Sequence, residues 1–569
     1  AVGVGDMSGD VFGNGMLLSP QTRLIAAFDH RDIFIDPDPD PVRSLTERAR
    51  LFMQPRSSWQ DYDQSLLSKG GGVYSRSLKT VPLFTEARQA LGLGSEPVTP
   101  NEVIAAILRA EVDLLWFGGI GTYVRGSAET DAQVGDKAND AVRIAGGEIR
   151  ATVVGESANL AMTQRGRVED ALRGGRLNTD AIDNSAGVNS SDLEVNIKIA
   201  LGSLMRAGEL SLTVRNEFLA SMTDEVAALC LRNNYLQSLA LSVAEHRGLA
   251  EFPDHVSLIE TLEEAGELNR AVEFLPTDAG LAERAAGGRG LTRPELAVLL
   301  AYAKNTVYAQ LLETAVPDDP YLGNELYRYF PPRLVETFRQ TVTDHRLRRE
   351  VIATVLSNAM VNRGGPGFVN EIVTATSANA GQVAAAYAAA RDVYGTEEID
   401  TEIDALDNRM PGEVQLGLYA ELEALLTRET LWFLRNESFD RGIAPLVERY
   451  AEGIAELRRN LAILLPPYLA EAIDARSATL EAAGAPRDIA RRIAELQALS
   501  LATDVVLVAT RTGSTVVDAA TAFFGVLDTF GLGRIIDAGN TIVLADRFDR
   551  MALDRALANL TRAQRGLAT

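Results

Sequence analysis

The stretch AVGVGDMSGDVFGNGMLLSP, residues Ala1 to Pro20, decides the fold class of this chain. Gly3, Gly5 and Gly9 follow a short apolar run, and Ser8 stands where G-x-G-x-x-G would have its third glycine. In such a turn the glycines permit a tight bend, close approach of a pyrophosphate and close packing of the following helix. The free N–H groups of that helix attract phosphate. The stretch predicts a diphosphate-binding turn; the alternative is an ordinary glycine-rich strand-to-helix turn.

The next predicted strand, RLIAAFD, ends in an acid, Asp29, which lies 20 residues after Gly9. An acid at this point accepts both ribose hydroxyls of NAD and repels the 2′-phosphate of NADP. His30 and Arg31 follow directly and reduce that preference. The spacing therefore predicts NAD as the cofactor. The alternative is that Asp29 caps a loop.

Two further apolar runs, VDLLWFGG (112–119) and IRATVVGE (149–156), read as buried parallel strands. Between the strands lie helical patterns, one of which starts with Thr99 as N-cap and Glu102 at N3. Alternating strands and helices predict a doubly wound, Rossmann-like α/β domain over about residues 1–200. A polar segment with Pro-Asp repeats and a triple glycine, about residues 36–98, reads as an insertion.

Beyond about residue 200 the pattern becomes helical. Apolar residues recur at i, i+3 and i+4, as in LTRPELAVLLAYAKNTVYAQLL, where Thr292 and Glu295 form a capping box. Breaks rich in proline and glycine separate these helices. We expect a mostly α-helical C-terminal region over 201–569, in one large bundle or two smaller ones.

Composition excludes several classes of protein. The net charge of −23 disfavours nucleic-acid binding. The single cysteine, Cys230, rules out an internal disulfide framework and favours a cytoplasmic, reducing location. No cysteine or histidine spacing fits a zinc site, so no metal is expected, and no run of 18 apolar residues predicts a membrane span.

The segment 155–198 is dense in Asn, Asp, Ser and Gly. Asn159 follows a predicted strand, and Asn184 follows LNTDAI, which reads as a short extended run. Two amides at neighbouring strand ends can hold a planar carboxamide such as that of nicotinamide. A helix is expected to start with Ser190 or Ser191 as its N-cap. On composition alone, Asx turns and helix caps are the better explanation of these residues.

Several long strings resemble the large, long-subunit NAD-specific glutamate dehydrogenases of bacteria. They include GVGDMSGDVFGNGMLLS, AAFDHRDIFIDPDPDP, SKGGGVYSRS, LLWFGGIGTYV and NTDAIDNSAGVNSSDLEVNIKI, and continue with LTRPELAVLLAYAK and DHRLRREVIATVLSNAMVNRGGPGFV. The resemblance covers essentially the whole chain. In that family the glycine turn lies in the middle of a much longer subunit, which implies that this chain is a C-terminal part of one.

The resemblance implies oxidative deamination of L-glutamate to 2-oxoglutarate and ammonia, with NAD reduced. Such chemistry needs a lysine to activate water and a carboxylate to move protons. In glutamate dehydrogenases both precede the glycine turn. We therefore expect no catalytic residue in this chain, no activity without the N-terminal part of the subunit, and assembly as a homo-oligomer.

The family's cofactor residues carry over to this sequence by motif. Gly3, Gly5, Met7, Ser8 and Gly9 would line the diphosphate, Asp29 the adenosine ribose, Gly118 and Gly119 the nicotinamide ribose, and Asn159 and Asn184 the nicotinamide. Ser191 matches a serine that touches the side-chain carboxylate of glutamate. Ser157 stands where the family usually has glycine, and a serine fits there only if the φ of residue 157 is negative. Leu193 replaces an expected histidine.

Four other residues are of types that can have a catalytic or binding role. Lys69, beside three glycines, imitates the family's catalytic lysine motif, but it follows the glycine turn and is read as part of a flexible, anion-binding loop. Trp59 and Tyr62 are expected to anchor a loop rather than stack on adenine. Cys230 reads as a buried core thiol. Two other functions stay open: another amino-acid dehydrogenase on the same scaffold, and a non-catalytic, nucleotide-sensing helical protein.

Overall fold

The computed structural model describes residues 1–542, 544 and 547–569. In this part of the chain a six-stranded sheet has the order β4-β3-β2-β1-β5-β8, and β6 and β7 form a separate pair. The strands are β1 (Val2–Val4), β2 (Ala26–Phe28), β3 (Asp32–Ile35), β4 (Gly72–Ser75), β5 (Leu114–Phe117), β6 (Val124–Arg125), β7 (Ile144–Ala145) and β8 (Val153–Glu156).

Strands β2, β1, β5 and β8 are parallel, which confirms the parallel pairing predicted from the three apolar runs. Their last residues are in register: Val4 pairs with both Phe28 and Phe117, and Phe117 pairs with Glu156. The segments that leave these four strands therefore start side by side at one edge of the sheet. We call this the carboxyl edge.

The other two strands of the large sheet are antiparallel, so the sheet is mixed. Only residues 29–31 separate β2 from β3, and so short a connection permits only antiparallel pairing. Strand β4 comes from the segment predicted as an insertion and pairs antiparallel with β3. That segment therefore contributes a strand to the sheet.

Seven helices accompany the sheet in residues 1–183. Thr99 and Glu102 form the predicted capping box at the start of the fourth helix. These helices are α1 (Asp10–Leu17), α2 (Pro41–Met53), α3 (Thr85–Ala90), α4 (Pro100–Leu108), α5 (Asp131–Val134), α6 (Gln164–Leu172) and α7 (Asp180–Asp183).

Two predictions about the segment after β8 are wrong. LNTDAI is not a strand, because its last residues begin α7 (Asp180–Asp183). The next helix, α8 (Ser185–Arg206), starts directly after Asn184, so Ser190 and Ser191 lie inside it rather than at its N-cap. Buried Leu193, Ile197, Ala200 and Leu201 recur at helical spacing and favour one continuous helix, which outweighs the turn-forming tendency of the polar residues.

The described chain beyond residue 206 is helical, as predicted. Thr292 and Glu295 form the expected capping box. The helices are α9 (Leu212–Ala220), α10 (Thr223–Arg247), α11 (Phe252–Glu264), α12 (Asp278–Ala286), α13 (Arg293–Leu312), α14 (Asn324–Tyr329), α15 (Pro332–Thr337), α16 (Arg339–Thr343), α17 (Arg348–Gly364), α18 (Phe368–Thr376), α19 (Ala380–Tyr394), α20 (Thr396–Asp404), α21 (Gly412–Asn436), α22 (Ala444–Leu464), α23 (Pro467–Ala482), α24 (Arg487–Leu499), α25 (Ala502–Thr512), α26 (Val516–Thr529), α27 (Leu532–Asn540) and α28 (Arg547–Ala568).

Helix α19, AGQVAAAYAAARDVY, lies at the centre of the helical core. Nearly all of its residues are buried, and it packs against α21 and α22. A helix that is apolar over most of its surface is buried over most of its surface, and its alanines let the neighbouring helices approach closely. The largest apolar cluster of the described residues is built around it, from Ile197 to Leu532.

The apolar pattern at 490–509 is split between α24 and α25, which meet at a bend of 52°. Among the described residues no single helix has the length and apolarity of a membrane span. This bent pair passes the same test only when its two helices are taken together.

Candidate functional site

The glycine turn at the carboxyl edge is shaped by one aromatic residue of α1, Phe12. A Cβ on Gly5, whose φ is +138°, would lie 2.8 Å from Phe12. A Cβ on Gly3 would lie 2.6 Å from the same ring, and one on Gly118 would lie 2.7 Å from the Phe12 backbone. At Gly9 a Cβ would come no closer than 3.5 Å to another atom. Close packing of α1 on the sheet therefore depends on Gly3, Gly5 and Gly118, and not on Gly9.

Asp6 takes up two donors of this turn, a contact that sequence reasoning missed. Its Oδ1 accepts hydrogen bonds from the backbone N–H groups of Ser8 (2.8 Å) and Gly9 (3.2 Å). Burial acts to raise the pKa of Asp6, but hydrogen bonds from Ser8 and the nearby Arg31 outweigh it, and the pKa is lowered. A carboxylate therefore lies at the N-terminal end of α1. The signal available in the sequence was an acid directly after Gly5.

Asp29 lies next to this turn, at the end of β2, and its side chain is buried. Its Oδ1 accepts hydrogen bonds from the backbone of Arg31 and Asp32, both at 2.7 Å. Its Oδ2 accepts no hydrogen bond from the described residues. Burial raises the pKa of Asp29, and the neighbouring Asp6 carboxyl raises it further. Oδ2 lies 3.6 Å from the Arg31 guanidinium and next to the Asp6 carboxyl, and it is the Asp29 oxygen that is left for a ligand.

The remaining residues predicted around the turn have different environments. Met7 is buried in an apolar cluster, so that only its backbone can face a ligand, whereas Ser8 is exposed. Gly118 donates a 2.9 Å hydrogen bond to the carbonyl of Val4, and Gly119 follows it at the carboxyl edge. A Cβ on Gly119 would lie 3.2 Å from that same carbonyl oxygen.

Trp59 and Tyr62 are loop anchors, as expected. Trp59 has no exposed surface, and its Nε1 donates a 3.0 Å hydrogen bond to the carbonyl of Gly5. Its ring stacks on Phe34, with 4.5 Å between the ring centroids. Trp59 therefore holds Gly5, the second glycine of the turn, in place, and its buried ring offers no face on which adenine could stack.

A buried ionic network holds the two loops that follow β8. Arg167 donates to both carboxylate oxygens of Glu156, at 2.6 and 3.0 Å, and lies 3.1 Å from Asp180. The Asp183 carboxylate accepts the Glu156 N–H at 2.9 Å, and Asp180 accepts the Leu160 N–H at 2.8 Å. Burial raises the pKa of Glu156 to about 7 although Arg167 opposes the shift.

This network brings the two predicted amides together. Nδ2 of Asn184 donates a 2.7 Å hydrogen bond to Oδ1 of Asn159. Ser157, two residues before Asn159, is not among the residues with positive φ, so its side chain causes no backbone strain. The adjacent Leu160 does have a positive φ of 62°. Strained backbone of this kind is often found at binding sites.

The amide pair lines a cleft of about 900 Å³ between the carboxyl edge and the helical region. Ser191 is exposed on α8 and is not among the residues that line this cleft, although Val188 and Asp192 of the same helix are. The structure thus brings Asn159 and Asn184 together in the cleft and leaves Ser191 beside it.

Two other candidates occupy unremarkable positions. Lys69 is exposed and forms a 2.7 Å ion pair with Glu86, which raises the pKa of Lys69. A lysine that activates water needs the opposite shift, so the geometry does not favour a catalytic role. Cys230 is buried, as expected, and burial raises the pKa of its thiol. Among the described residues no group of His, Cys, Asp and Glu side chains has the arrangement of a metal site.

The residues at the carboxyl edge fit a dinucleotide. Asp6 takes the N–H groups of Ser8 and Gly9, but no side chain caps α1 itself, so N–H groups of its first turn remain open to an anion. The buried Oδ2 of Asp29 lacks a donor, and the glycines keep the edge free of side chains. These are features of the α/β proteins that bind dinucleotides at the carboxyl ends of parallel strands.

Comparison with known proteins agrees with this class. Residues 1–244 match the family model "Bacterial NAD-glutamate dehydrogenase, catalytic domain", and residues 288–569 match "Glutamate dehydrogenase, C-terminal". The chain belongs to the bacterial NAD-glutamate dehydrogenase family.

Three curated relatives are each named NAD-specific glutamate dehydrogenase. The protein from Halomonas elongata is 42% identical and the one from Pseudomonas aeruginosa 43% identical, each over 100% of this chain and 35% of its own length. The protein from Mycobacterium tuberculosis is 40% identical over 97% of this chain and 34% of its own length. The chain thus spans about a third of the length of these relatives.

Proposed function

We propose that this chain carries the NAD-binding part of a glutamate dehydrogenase that converts L-glutamate to 2-oxoglutarate and ammonia. The observation that carries the proposal is the alignment of four parallel strand ends. It places Gly5, Asp29 and Gly118 along one edge, with the Asn159 and Asn184 amides beside them. The name shared by the relatives supports the choice of cofactor and of reaction.

Each residue of the edge has a proposed role. Residues 3–9 would offer backbone to the diphosphate, and Oδ2 of Asp29, which accepts no hydrogen bond from the described residues, would accept the adenosine ribose hydroxyls. Gly118 and Gly119 would leave room for the nicotinamide ribose. The amides of Asn159 and Asn184 would hold the carboxamide, which needs one donor and one acceptor. Bound NAD supplies the hydride acceptor. Ser191 would approach the substrate only from the side of the cleft.

The lysine and carboxylate that the chemistry requires are proposed to lie in the part of the relatives that this chain does not match. We therefore propose that the chain is inactive alone and forms part of a homo-oligomer in the cytoplasm, where its single thiol stays reduced. We further propose a Rossmann-like cofactor domain at about 1–200 and a helical region at 201–569.

The test is calorimetric titration of the chain with NADH and with NADPH. Micromolar binding of NADH and much weaker binding of NADPH are expected. Asp29→Asn should weaken NADH binding about tenfold, since a hydrogen bond to a charged group contributes about 1.5–3 kcal/mol. Asp38→Asn, which removes an exposed carboxylate paired with Arg23, is the matched control. If a folded chain binds neither nucleotide, the proposal fails; equal binding of both would overturn the role of Asp29.

A further inference from the structure

The cleft beside the carboxyl edge has a second wall, which belongs to the helical region. Helix α10 contributes Asn233 and Gln237, and α17 contributes Thr354, Asn358 and Asn362. These residues line the same cleft as Asn159 and Asn184. The cleft is therefore bounded by both halves of the chain, and Asn and Gln side chains supply nearly half of its lining residues.

The direction of the Gln237 amide is decided by a lysine behind it. Nζ of Lys304, on α13, donates a 3.2 Å hydrogen bond to Oε1 of Gln237. A charged ammonium group can only donate, so with Lys304 protonated the amide turns its oxygen to Lys304 and leaves its Nε2 donor for the cleft. For the protonated lysine, the reverse orientation of the amide would set two donors against each other.

Two more amides of the cleft have their oxygens occupied in the same way. Oδ1 of Asn189 accepts a 2.9 Å hydrogen bond from Asn233, and Oδ1 of Asn159 accepts the bond from Asn184. The NH₂ groups of Asn159, Asn189 and Gln237 are left as donors. Asp180 and Asp192 also line the cleft, but Asp180 is paired with Arg167 and Asp192 is exposed on α8. The side-chain oxygens of Asn184, Asn233 and Asn362 are left as acceptors, so donors and acceptors both line the cleft, and the Gln237 end offers a donor that suits a carboxylate oxygen.

Lys304 itself has no anionic partner among the described residues. It is half-buried, and it donates its hydrogen bond to the neutral Gln237. Burial lowers the pKa of Lys304 to about 7. In a chain whose acids exceed its Lys and Arg residues by 23, a desolvated ammonium without a carboxylate partner is unusual. An anion bound at the cleft would offset the cost of its burial.

We propose that the cleft binds a carboxylate of the dicarboxylic substrate through the NH₂ group of Gln237, which Lys304 orients and polarises. This inference rests on the proposed function, because it concerns the substrate end of the same site. Gln237 contacts the carboxylate, and Lys304 is a positioning residue that acts through Gln237. The helical region thereby supplies part of the substrate specificity, from residues outside the α/β half of the chain.

The test is calorimetric titration of the full chain with 2-oxoglutarate, with and without saturating NADH. Lys304→Met and Gln237→Leu should each weaken 2-oxoglutarate binding tenfold or more and leave NADH binding unchanged. Lys304→Arg, which keeps the charge and the donors, should retain affinity within about threefold. The matched control is Lys198→Met, which removes an exposed lysine that pairs with Glu194 on α8. Circular dichroism checks that each variant is folded.

Three results would overturn the inference. The first is a folded wild-type chain that binds NADH but no 2-oxoglutarate, which leaves the proposed cofactor role intact. The second is a folded Lys304→Met or Gln237→Leu variant that binds 2-oxoglutarate as the wild type does. The third is equal binding of inorganic phosphate, which would indicate a general anion site. If neither the wild type nor any variant binds NADH, the proposed function is contradicted instead. The titration of 2-oxoglutarate without NADH then still tests the cleft.

Discussion

Nδ2 of Asn184 donates a 2.7 Å hydrogen bond to Oδ1 of Asn159, across 25 residues of sequence. Neither amide is deeply buried, so this bond alone would not hold two loops. The buried Glu156 and Arg167 beneath them, joined to Asp180 and Asp183, fix the geometry. The pair leaves one amide nitrogen and one amide oxygen unused, which is the complement of a carboxamide.

Asp6→Asn should tighten NADH binding. The Asp6 carboxylate accepts the Ser8 and Gly9 N–H groups at the end of α1 where a diphosphate would approach, so its charge opposes the ligand. An asparagine oxygen can accept the same bonds without the charge. We expect an increase in affinity of about threefold to tenfold at low ionic strength and less at high ionic strength.

The measurement for Asp6→Asn is calorimetry at two salt concentrations. Asp113→Asn, which removes a carboxylate just before the start of β5 at the opposite edge of the sheet, is the control and should have no effect. Weaker NADH binding in Asp6→Asn at both salt concentrations would contradict the expectation and would indicate that the carboxylate organises the turn.

Gly118→Ala and Gly9→Ala should differ sharply, although both remove a glycine of the site. A Cβ at 118 would lie 2.7 Å from the Phe12 backbone, and overpacking of this kind costs about 1–3 kcal/mol. Gly9 has φ −82° and room for a methyl group, so alanine there should change stability by less than about 1 kcal/mol. Urea unfolding measures the free energy of unfolding of both variants. Equal losses of stability would show that close packing of α1 needs glycine at position 9, as the motif suggests.

Trp59→Phe separates an anchoring role from adenine stacking. The variant keeps an aromatic ring but loses the hydrogen bond from Nε1 to the Gly5 carbonyl. Leaving that buried acceptor unpaired should lower the free energy of unfolding by about 1–3 kcal/mol and weaken NADH binding through the turn. Thermal unfolding and NADH titration are compared. A loss of NADH affinity at unchanged stability would indicate direct contact with the nucleotide.

Stability should rise as pH falls from about 8 toward 5. Burial raises the pKa of Asp170, Glu371, Asp400 and Glu429 to about 7 and that of Glu251 to about 8. In this range the folded chain holds protons on these groups that the unfolded chain has lost, so lowering the pH favours folding. The gain is complete below the pKa of the unfolded carboxyls and is lost as the pH rises through 7.

Asp170→Asn tests this pH dependence at one position. Asp170 is buried, and its Oδ2 has no hydrogen-bond donor. Because the variant has no titratable carboxyl at this position, the slope of stability against pH between 5 and 7 should become flatter by up to roughly 1.4 kcal/mol per pH unit. Denaturant unfolding at pH 5, 6, 7 and 8 gives the slope. Asp140→Asn, which removes a partly exposed acid paired with Arg143, should leave the slope unchanged. An unchanged slope in Asp170→Asn would show that Asp170 is ionised throughout.

Local signals in the sequence predicted local structure well. Both capping boxes form as expected, since their side chains and backbone partners are three residues apart. The apolar runs at 23–29, 112–119 and 149–156 contain parallel strands. The predictions that were wrong concern residues 177–191, whose polar side chains are compatible with turns, caps and helices alike. Packing of the buried Leu193 and Ile197 favours a helix there.

The sequence by itself determined the glycine turn, the acid that ends β2, the helical character beyond residue 206 and the family resemblance. These depend on residues that are close in the chain or on long shared strings. Only the tertiary structure decided that Phe12 sets the need for glycine at 118, that Glu156 pairs with Arg167, and that Lys304 turns the Gln237 amide toward the cleft. Such contacts join residues far apart in sequence, and no local propensity encodes which buried partner a side chain will meet.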